Sequence, residues 1–197
     1  MSAPLNTPLN TTSNLPSQQD AIAAALALYP TRPYAVSDIG SQTGWLKAAG
    51  HDARNLYVSG PMGLATSVAL GLAAVRPNEQ VLAIAGDGAL AMNLTSLATI
   101  FGAKPKNLSI LLVDNRIYEF TNSVPTPTRD LDWLAVGRAF FGADQCLRLS
   151  DLTPERWASV ARPAMIVADV APAPGKPPAL GMTPAMIRAE FLAASKK

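Results

Sequence analysis

Two short, wholly apolar runs, Val81 to Ala85 and Leu108 to Val113, each end abruptly in small polar residues. Runs of this length without alternation predict strands buried on both faces, as in a parallel sheet. The first run empties into Gly86-Asp87-Gly88, a helix-compatible segment follows, and the second ends in Asp114-Asn115. Strand, glycine turn, helix and strand make one βαβ unit with polar residues at the carboxyl ends of both strands. In open parallel sheets that edge is where ligands bind.

The pattern continues on both sides. Ser17 to Tyr29 predicts an alanine-rich helix, with Ser17 as N-cap and Asp20 in its first turn, stopped by Pro30 and Pro33. Pro33 to Val36 predicts the first strand, Ser37 to Thr43 a polar loop at its carboxyl end, and Thr43 to Ala49 a helix. Asn55 to Val58 predicts the second strand, closed by the turn Ser59-Gly-Pro-Met-Gly63. Leu64 to Val75 is so apolar that its helix must be buried on most faces. Ala69 and Gly71 let another backbone approach it, which suits either packing on the sheet or a partner subunit.

Beyond Asn115 the proline- and threonine-containing stretch to Thr128 predicts no regular element, and its place at the ligand edge predicts a mobile loop over the site. Asp132 to Phe141 predicts a helix, Gln145 to Leu149 a strand, Pro154 to Ala161 a helix, and Ala164 to Asp169 a buried strand. Ala171 to Pro178 reads as a linker to a terminal helix from Pro184 to Ala194. About six strands alternating with helices imply an α/β fold: a doubly wound parallel sheet with helices on both faces. Residues 1–15, polar and proline-dotted, read as a disordered N-terminal arm, and 16–197 as a single domain.

Composition narrows the partners. A hydrophobic content of 49% over 197 residues is ample for one core. A net charge of +2, with scattered Lys and Arg, gives no footprint for nucleic acid. No apolar stretch is long enough to span a membrane, and the N-terminus does not read as a signal peptide. The lone Cys146 excludes a disulfide framework, suits a reducing cytoplasm, and reads as a small buried hydrophobe. His51, the only histidine, follows Gly50 at a helix exit and reads as a solvated C-terminal cap.

The chemistry gathers at Asp87. Gly86 and Gly88 let a ligand approach the backbone, and N–H groups at a helix start suit a diphosphate. A bare carboxylate would repel that diphosphate, so Asp87 requires a cation between them. Mg²⁺ takes about six oxygen ligands, usually one or two from protein carboxylates with phosphate oxygens among the rest. Asn115 can add an amide oxygen and a nearby backbone carbonyl another, because neighbouring strand ends lie about 4.8 Å apart. Gly40 and Ser41, in the loop after the first strand, form a second place to meet a phosphate. Gly86-x-Gly88-x-x-Ala91 also fits a dinucleotide fingerprint, with Asp114 as its ribose acid, and implies an NAD(P)-binding oxidoreductase. Against it, about eighty residues precede the motif and its variable position is an acid. A glycine turn with no ligand remains the plainest alternative.

GDG, twenty-five intervening residues and Asp114-Asn115 resemble the thiamine diphosphate motif, which ends in a double asparagine. That resemblance implies Mg²⁺ on Asp87, Asn115 and the Ile117 carbonyl. It implies diphosphate on the Gly88 and Ala89 amides, with Gly86, Tyr118, Gly40 and Ser41 also on the cofactor. Met62, twenty-five residues before Asp87, matches the turn that receives the aminopyrimidine in that family. Met62 would wedge beneath the bent cofactor, Gly60 C=O would accept from its 4′-amine, and Met62 N–H would donate to the ring.

The family's catalytic glutamate comes from a separate pyrimidine-binding domain. Glu79, Glu155 and Glu190 lie away from the ligand edge, and Glu119 belongs to the metal-side loop. The resemblance therefore implies a diphosphate-binding subunit, in a hetero-oligomer of α2β2 or larger, whose partner chain supplies the pyrimidine-binding domain. Residues 33–192 are similar to the β subunit of sulfopyruvate decarboxylase and to phosphonopyruvate decarboxylase. The implied activity is decarboxylation, or carboligation, of a small 2-oxo acid. Pro61 and the stretch Phe120 to Val124 depart from those families, and that stretch neighbours their substrate, so the substrate stays open. A non-catalytic cofactor-binding subunit is the third reading.

Overall fold

The computed structural model describes residues 14–173 and 177–195. In chain order they form α1 (Gln18–Ala27), β1 (Tyr34–Ser37), α2 (Ser41–Ala49), β2 (Asn55–Tyr57), α3 (Ala65–Val75) and β3 (Val81–Gly86). There follow α4 (Asp87–Met92), α5 (Thr95–Ala103), β4 (Leu108–Asp114), β5 (Ile117–Tyr118), β6 (Val124–Pro125) and α6 (Trp133–Phe141). Last come β7 (Cys146–Arg148), a 3₁₀ turn (Leu149–Asp151), α7 (Pro154–Ser159), β8 (Ala164–Asp169) and α8 (Pro184–Ala194).

The expected α/β architecture is present. Six strands pair parallel in the order β2-β1-β3-β4-β8-β7. The chain moves one way from β1 to β2, then crosses over to β3, so the winding reverses between β1 and β3. Such a reversal parts the loops above it and opens a crevice at the strand ends. The register Ser37↔Ile84 and Gly86↔Val113 brings the ends of β1, β3 and β4 to one edge.

Each central strand buries both faces. Leu82, Ile84, Leu111 and Val113 pack with α1, Leu46 and Trp157 on one side. Val81, Ala83, Ala85, Ile110 and Leu112 pack with α3, Leu97, Ile100 and Trp133 on the other. The uninterrupted apolar runs exist because neither face meets water. The Ser17 side chain accepts from Asp20 N–H and caps α1 as expected.

Several boundaries move for local reasons. α2 begins at Ser41 rather than Thr43, with Gly40 as N-cap at φ +91°. The long helix expected after Gly88 breaks into α4 and α5, because the Asn93 side chain turns away to donate to Gly63 O at 2.8 Å. The stretch Arg116 to Thr128 is not featureless. It holds the small antiparallel pair β5 and β6, reversed through left-handed Asn122 and Ser123. The strand expected through Leu149 ends at Arg148 and tightens into the 3₁₀ turn.

Of the expected N-terminal arm, residues 1–13 lie outside the described residues, as do 174–176 of the expected linker. The linker's Pro178 packs against α2, where a Cβ on Gly44 would overlap its carbonyl, and Lys47 Nζ donates to Leu180 O at 2.5 Å. Gly50 N–H closes α2, and His51 is no cap. His51 Nδ1 lies 2.9 Å from Tyr57 Oη, and Nε2 lies 3.1 Å from a Glu190 carboxylate oxygen in α8. Cys146 is fully buried, and burial pushes its thiol up to about 11. Among the described residues no helix is long and apolar enough to cross a membrane.

Candidate functional site

A cavity of about 770 Å³ opens at the carboxyl edge, over the reversal between β1 and β3. Gly40 and Ser41 reach it from the β1 loop, and Gly60 and Met62 from the turn after β2. Gly86, Asp87, Gly88 and Ala89 reach it from β3 and α4, and Asn115, Ile117 and Tyr118 from the end of β4 and β5. All of the site residues expected from sequence therefore line one space. Phe120 joins them from the stretch expected beside the substrate, and Pro177 to Leu180 add a wall that the sequence reading did not include.

Asp87 is the buried centre, only 1% exposed. Burial raises its pKa, and the Thr126 hydroxyl and Gly88 amide oppose that shift. Thr126 donates to Asp87 Oδ2 at 2.6 Å. The nearby arginines are engaged elsewhere: Arg116 lies 3.8 Å from Asp114 and 3.5 Å from Asp169, and Arg148 also pairs with Asp169. Asp114, beside Asn115, is held at about 7, first by burial and then by the charge of Asp87. Its Oδ1 has no hydrogen-bond partner among the described residues. Arg116 offsets part of the charge of these two buried carboxylates, yet burial still raises both and the charge of Asp87 raises Asp114 further, so the pair favours a further cation.

The donor chemistry suits a hard divalent cation. Asp87 offers a carboxylate, Asn115 an amide oxygen and Ile117 a carbonyl, the oxygen set that Mg²⁺ completes with phosphate and water. Asn115 Oδ1 already accepts from Ile117 N–H at 3.1 Å, which orients the amide and leaves a second lone pair. Among the described residues no group of three His, Cys, Asp or Glu side chains could hold a metal.

Glycine is required where the walls approach most closely. A Cβ on Gly88 would overlap the Tyr118 ring, so this ring packs directly on the backbone that follows Asp87. Gly63 sits at φ +88°, and a Cβ there would stand 2.9 Å from Ala89 O. The turn carrying Met62 thus rests against the turn carrying Asp87. Met62 is half-buried, and Gly60 is exposed, with nothing among the described residues beyond its chain neighbours within 4 Å of where a Cβ would stand.

Asp38, which the sequence reading passed over, ties the β1 loop to that turn. Its two carboxylate oxygens accept from Gly63 N–H at 3.1 and 3.0 Å, and Oδ1 also accepts from Ile39 N–H at 2.9 Å. Burial raises its pKa against those amides. A local signal existed: Asp-x-Gly at a strand end is a turn-forming acid beside a permissive residue. Its partner, 25 residues away, was not readable locally.

Glu119 is the one glutamate at the cavity. Its oxygens are engaged by Gln18 Nε2 of α1 and, at 3.4 Å, by Trp45 Nε1 of α2. Glu79 lies 3.8 Å from Arg54, Glu190 pairs with His51, and Glu155 is exposed in the first turn of α7.

Comparison with known proteins shows the family and the fold. Residues 38–139 match the family described as thiamine pyrophosphate enzyme, C-terminal TPP binding domain. The chain is 33% identical over 183 residues to sulfopyruvate decarboxylase subunit beta of Methanococcus maripaludis, covering 89% of this chain and 96% of the relative. It is 31% identical to phosphonopyruvate decarboxylase of Streptomyces viridochromogenes, covering 90% of this chain but 46% of that longer protein. Benzoylformate decarboxylase from Polynucleobacter necessarius shares the fold, with a TM-score of 0.64 at 18% identity over 87% of this chain and 36% of its own.

Proposed function

The chain belongs to the thiamine pyrophosphate enzymes through their C-terminal TPP-binding domain, and from that premise we propose that it is the diphosphate- and Mg²⁺-binding subunit of a two-chain 2-oxo-acid decarboxylase. The observation that carries the proposal is Asp87: a buried carboxylate with no ion pair among the described residues, flanked by Gly88 and Ala89 amides on a cavity that also receives Met62.

Thiamine diphosphate, when bound, supplies the carbanion that adds to a ketone and the electron sink that lets carbon dioxide leave. This chain's part is to bind and orient. Asp87, Asn115 and the Ile117 carbonyl would hold the cation. The Gly88 and Ala89 amides and the Gly40-Ser41 turn would take the diphosphate, and Gly60 and Met62 the aminopyrimidine. Gly86 and Tyr118 shape the wall between these groups. The apolar side chains of Ile39, Met62, Ile117, Phe120 and Leu180 line the cavity and would limit water around the bound cofactor.

No glutamate of this chain is free to protonate an aminopyrimidine, since Glu119 already accepts two hydrogen bonds. The reading therefore places that acid on a partner chain, in a hetero-oligomer, and the enzyme is active only when both are present. Its substrate is a small 2-oxo acid. Calorimetric titration of thiamine diphosphate into the assembled protein tests the cofactor assignment. Binding should require Mg²⁺ and be lost in Asp87→Ala; unchanged affinity in that variant would overturn the metal site.

A further inference from the structure

Gln18, Glu119 and Trp45 make a clasp with no place in the cofactor reading so far. Gln18 lies in α1, is 1% exposed and does not line the cavity. Its Nε2 donates to Glu119 Oε1, and Trp45 Nε1 donates to Glu119 Oε2 at 3.4 Å. Gln42, 4% exposed, donates from Nε2 to Gln18 Oε1 at 3.2 Å. That same Nε2 lies 3.4 Å from where a Cβ of Gly86 would stand. The amide order is set by the carboxylate: Glu119 only accepts, so Gln18 must turn its NH₂ to it and its carbonyl to Gln42.

Glu119 directly follows the two residues of β5. Ile117 offers its carbonyl, and Tyr118 packs its ring where a Gly88 Cβ would otherwise be. Among the described residues β5 pairs only with the two-residue β6, whose Val124 is exposed, so this pairing alone holds it weakly. The preceding Arg116 is left-handed, at φ +63°. A strained turn and a minimal strand need an anchor on the rigid layer, and the clasp to α1 and α2 provides one.

We infer that Glu119 is a positioning residue for the metal loop: its carboxylate, gripped by Gln18 and Trp45, fixes β5 so that the Ile117 carbonyl and Tyr118 ring stand ready for the cation and the diphosphate turn. This rests on the thiamine diphosphate reading above. It sets apart two roles for a carboxylate beside a polyanion. Acting only as a charge, Glu119 would repel the diphosphate and attract the cation, and the charge-neutral Gln18→Met would leave binding unmoved. As an anchor, its removal loosens the loop and weakens binding.

The test titrates Mg²⁺ against the full-length protein, in the assembly in which it purifies, at fixed thiamine diphosphate and with binding followed by calorimetry. Glu119→Gln should raise the half-saturating Mg²⁺ concentration about tenfold, the scale of one lost charge-assisted hydrogen bond. Gln18→Met, which changes no charge and touches no ligand, should produce a shift of the same sign. The double variant should shift little further, because one contact is removed twice. Trp45→Phe keeps a smaller aromatic side chain and removes the N–H, so it supplies a third, smaller shift if either other variant fails to fold. Unfolding midpoints measured without ligand separate global destabilisation from the metal shift. Tighter binding in Glu119→Gln, or an unmoved Mg²⁺ midpoint in Gln18→Met, overturns the inference and leaves the cofactor reading standing. A wild-type protein that binds no thiamine diphosphate with Mg²⁺ overturns both.

Discussion

Thr126 and Asp87, 39 residues apart, meet through a hydrogen bond of 2.6 Å that is buried at both ends. The hydroxyl comes from the loop after β6 and the carboxylate from the start of α4, so one bond sets the loop's height over the diphosphate turn. Thr126→Val keeps the shape and removes the donor, leaving Asp87 Oδ2 buried without it. Loss of about 1–3 kcal/mol of stability is expected, together with weaker Mg²⁺ binding. Thr126→Ser should restore most of both. Urea denaturation and a metal titration read the two effects, and a neutral Thr126→Val would refute the role.

Gly88→Ala should disrupt the site through Tyr118, whose ring occupies the space of the new methyl group. Overpacking of this kind costs about 1–3 kcal/mol. Gly88→Ala combined with Tyr118→Ala should recover part of the loss, and denaturation midpoints of the four proteins measure the coupling. Additive effects would show that the contact is not the cause.

The buried carboxylates make a signed pH prediction for the metal-free protein. Asp114, at about 7 when folded against an ordinary 3.8, binds protons in the native state that it releases in the unfolded state between those values. Asp38 and Asp87 are shifted in the same direction, each chiefly by burial. Stability from these groups is therefore greatest at the acid end and falls as pH rises towards 7. Thermal midpoints in chelator from pH 5 to 8 should decline, with a shallower slope in Asp114→Asn. Saturating Mg²⁺ and thiamine diphosphate should offset the decline at the alkaline end.

Cys146 should resist alkylation at pH 8 in the folded protein and react fully once denatured. Its sulfur is buried, and its thiol is pushed up to about 11. Mass spectrometry after iodoacetamide treatment checks this, and rapid labelling of the native chain would contradict the packing around α6.

What could be read from sequence follows from how local each cause is. The runs ending at Ala85, Val113 and Asp169 were legible because burial on both faces writes an unbroken apolar word. Ser17 was legible as a cap because its partner is three residues away. The break between α4 and α5 was not, because it depends on Asn93 reaching Gly63, 30 residues earlier. The β5–β6 pair offers two residues per strand, one of them proline, and no periodicity to detect. For the site, glycine spacing and Asp87 marked the cavity floor, whereas its supports did not show. Asp38, Thr126 and Gln18 act through partners 25, 39 and 101 residues distant.

The bond from Gly63 N–H to Asp38 has a consequence for motion. A glycine amide in a turn beside an exposed proline would ordinarily trade its hydrogen for deuterium quickly. Here both carboxylate oxygens of a buried aspartate hold it, so exchange must wait until the β1 loop and the Met62 turn part. That single amide is a clock for the opening of the whole strand edge, and ligand binding there should slow it.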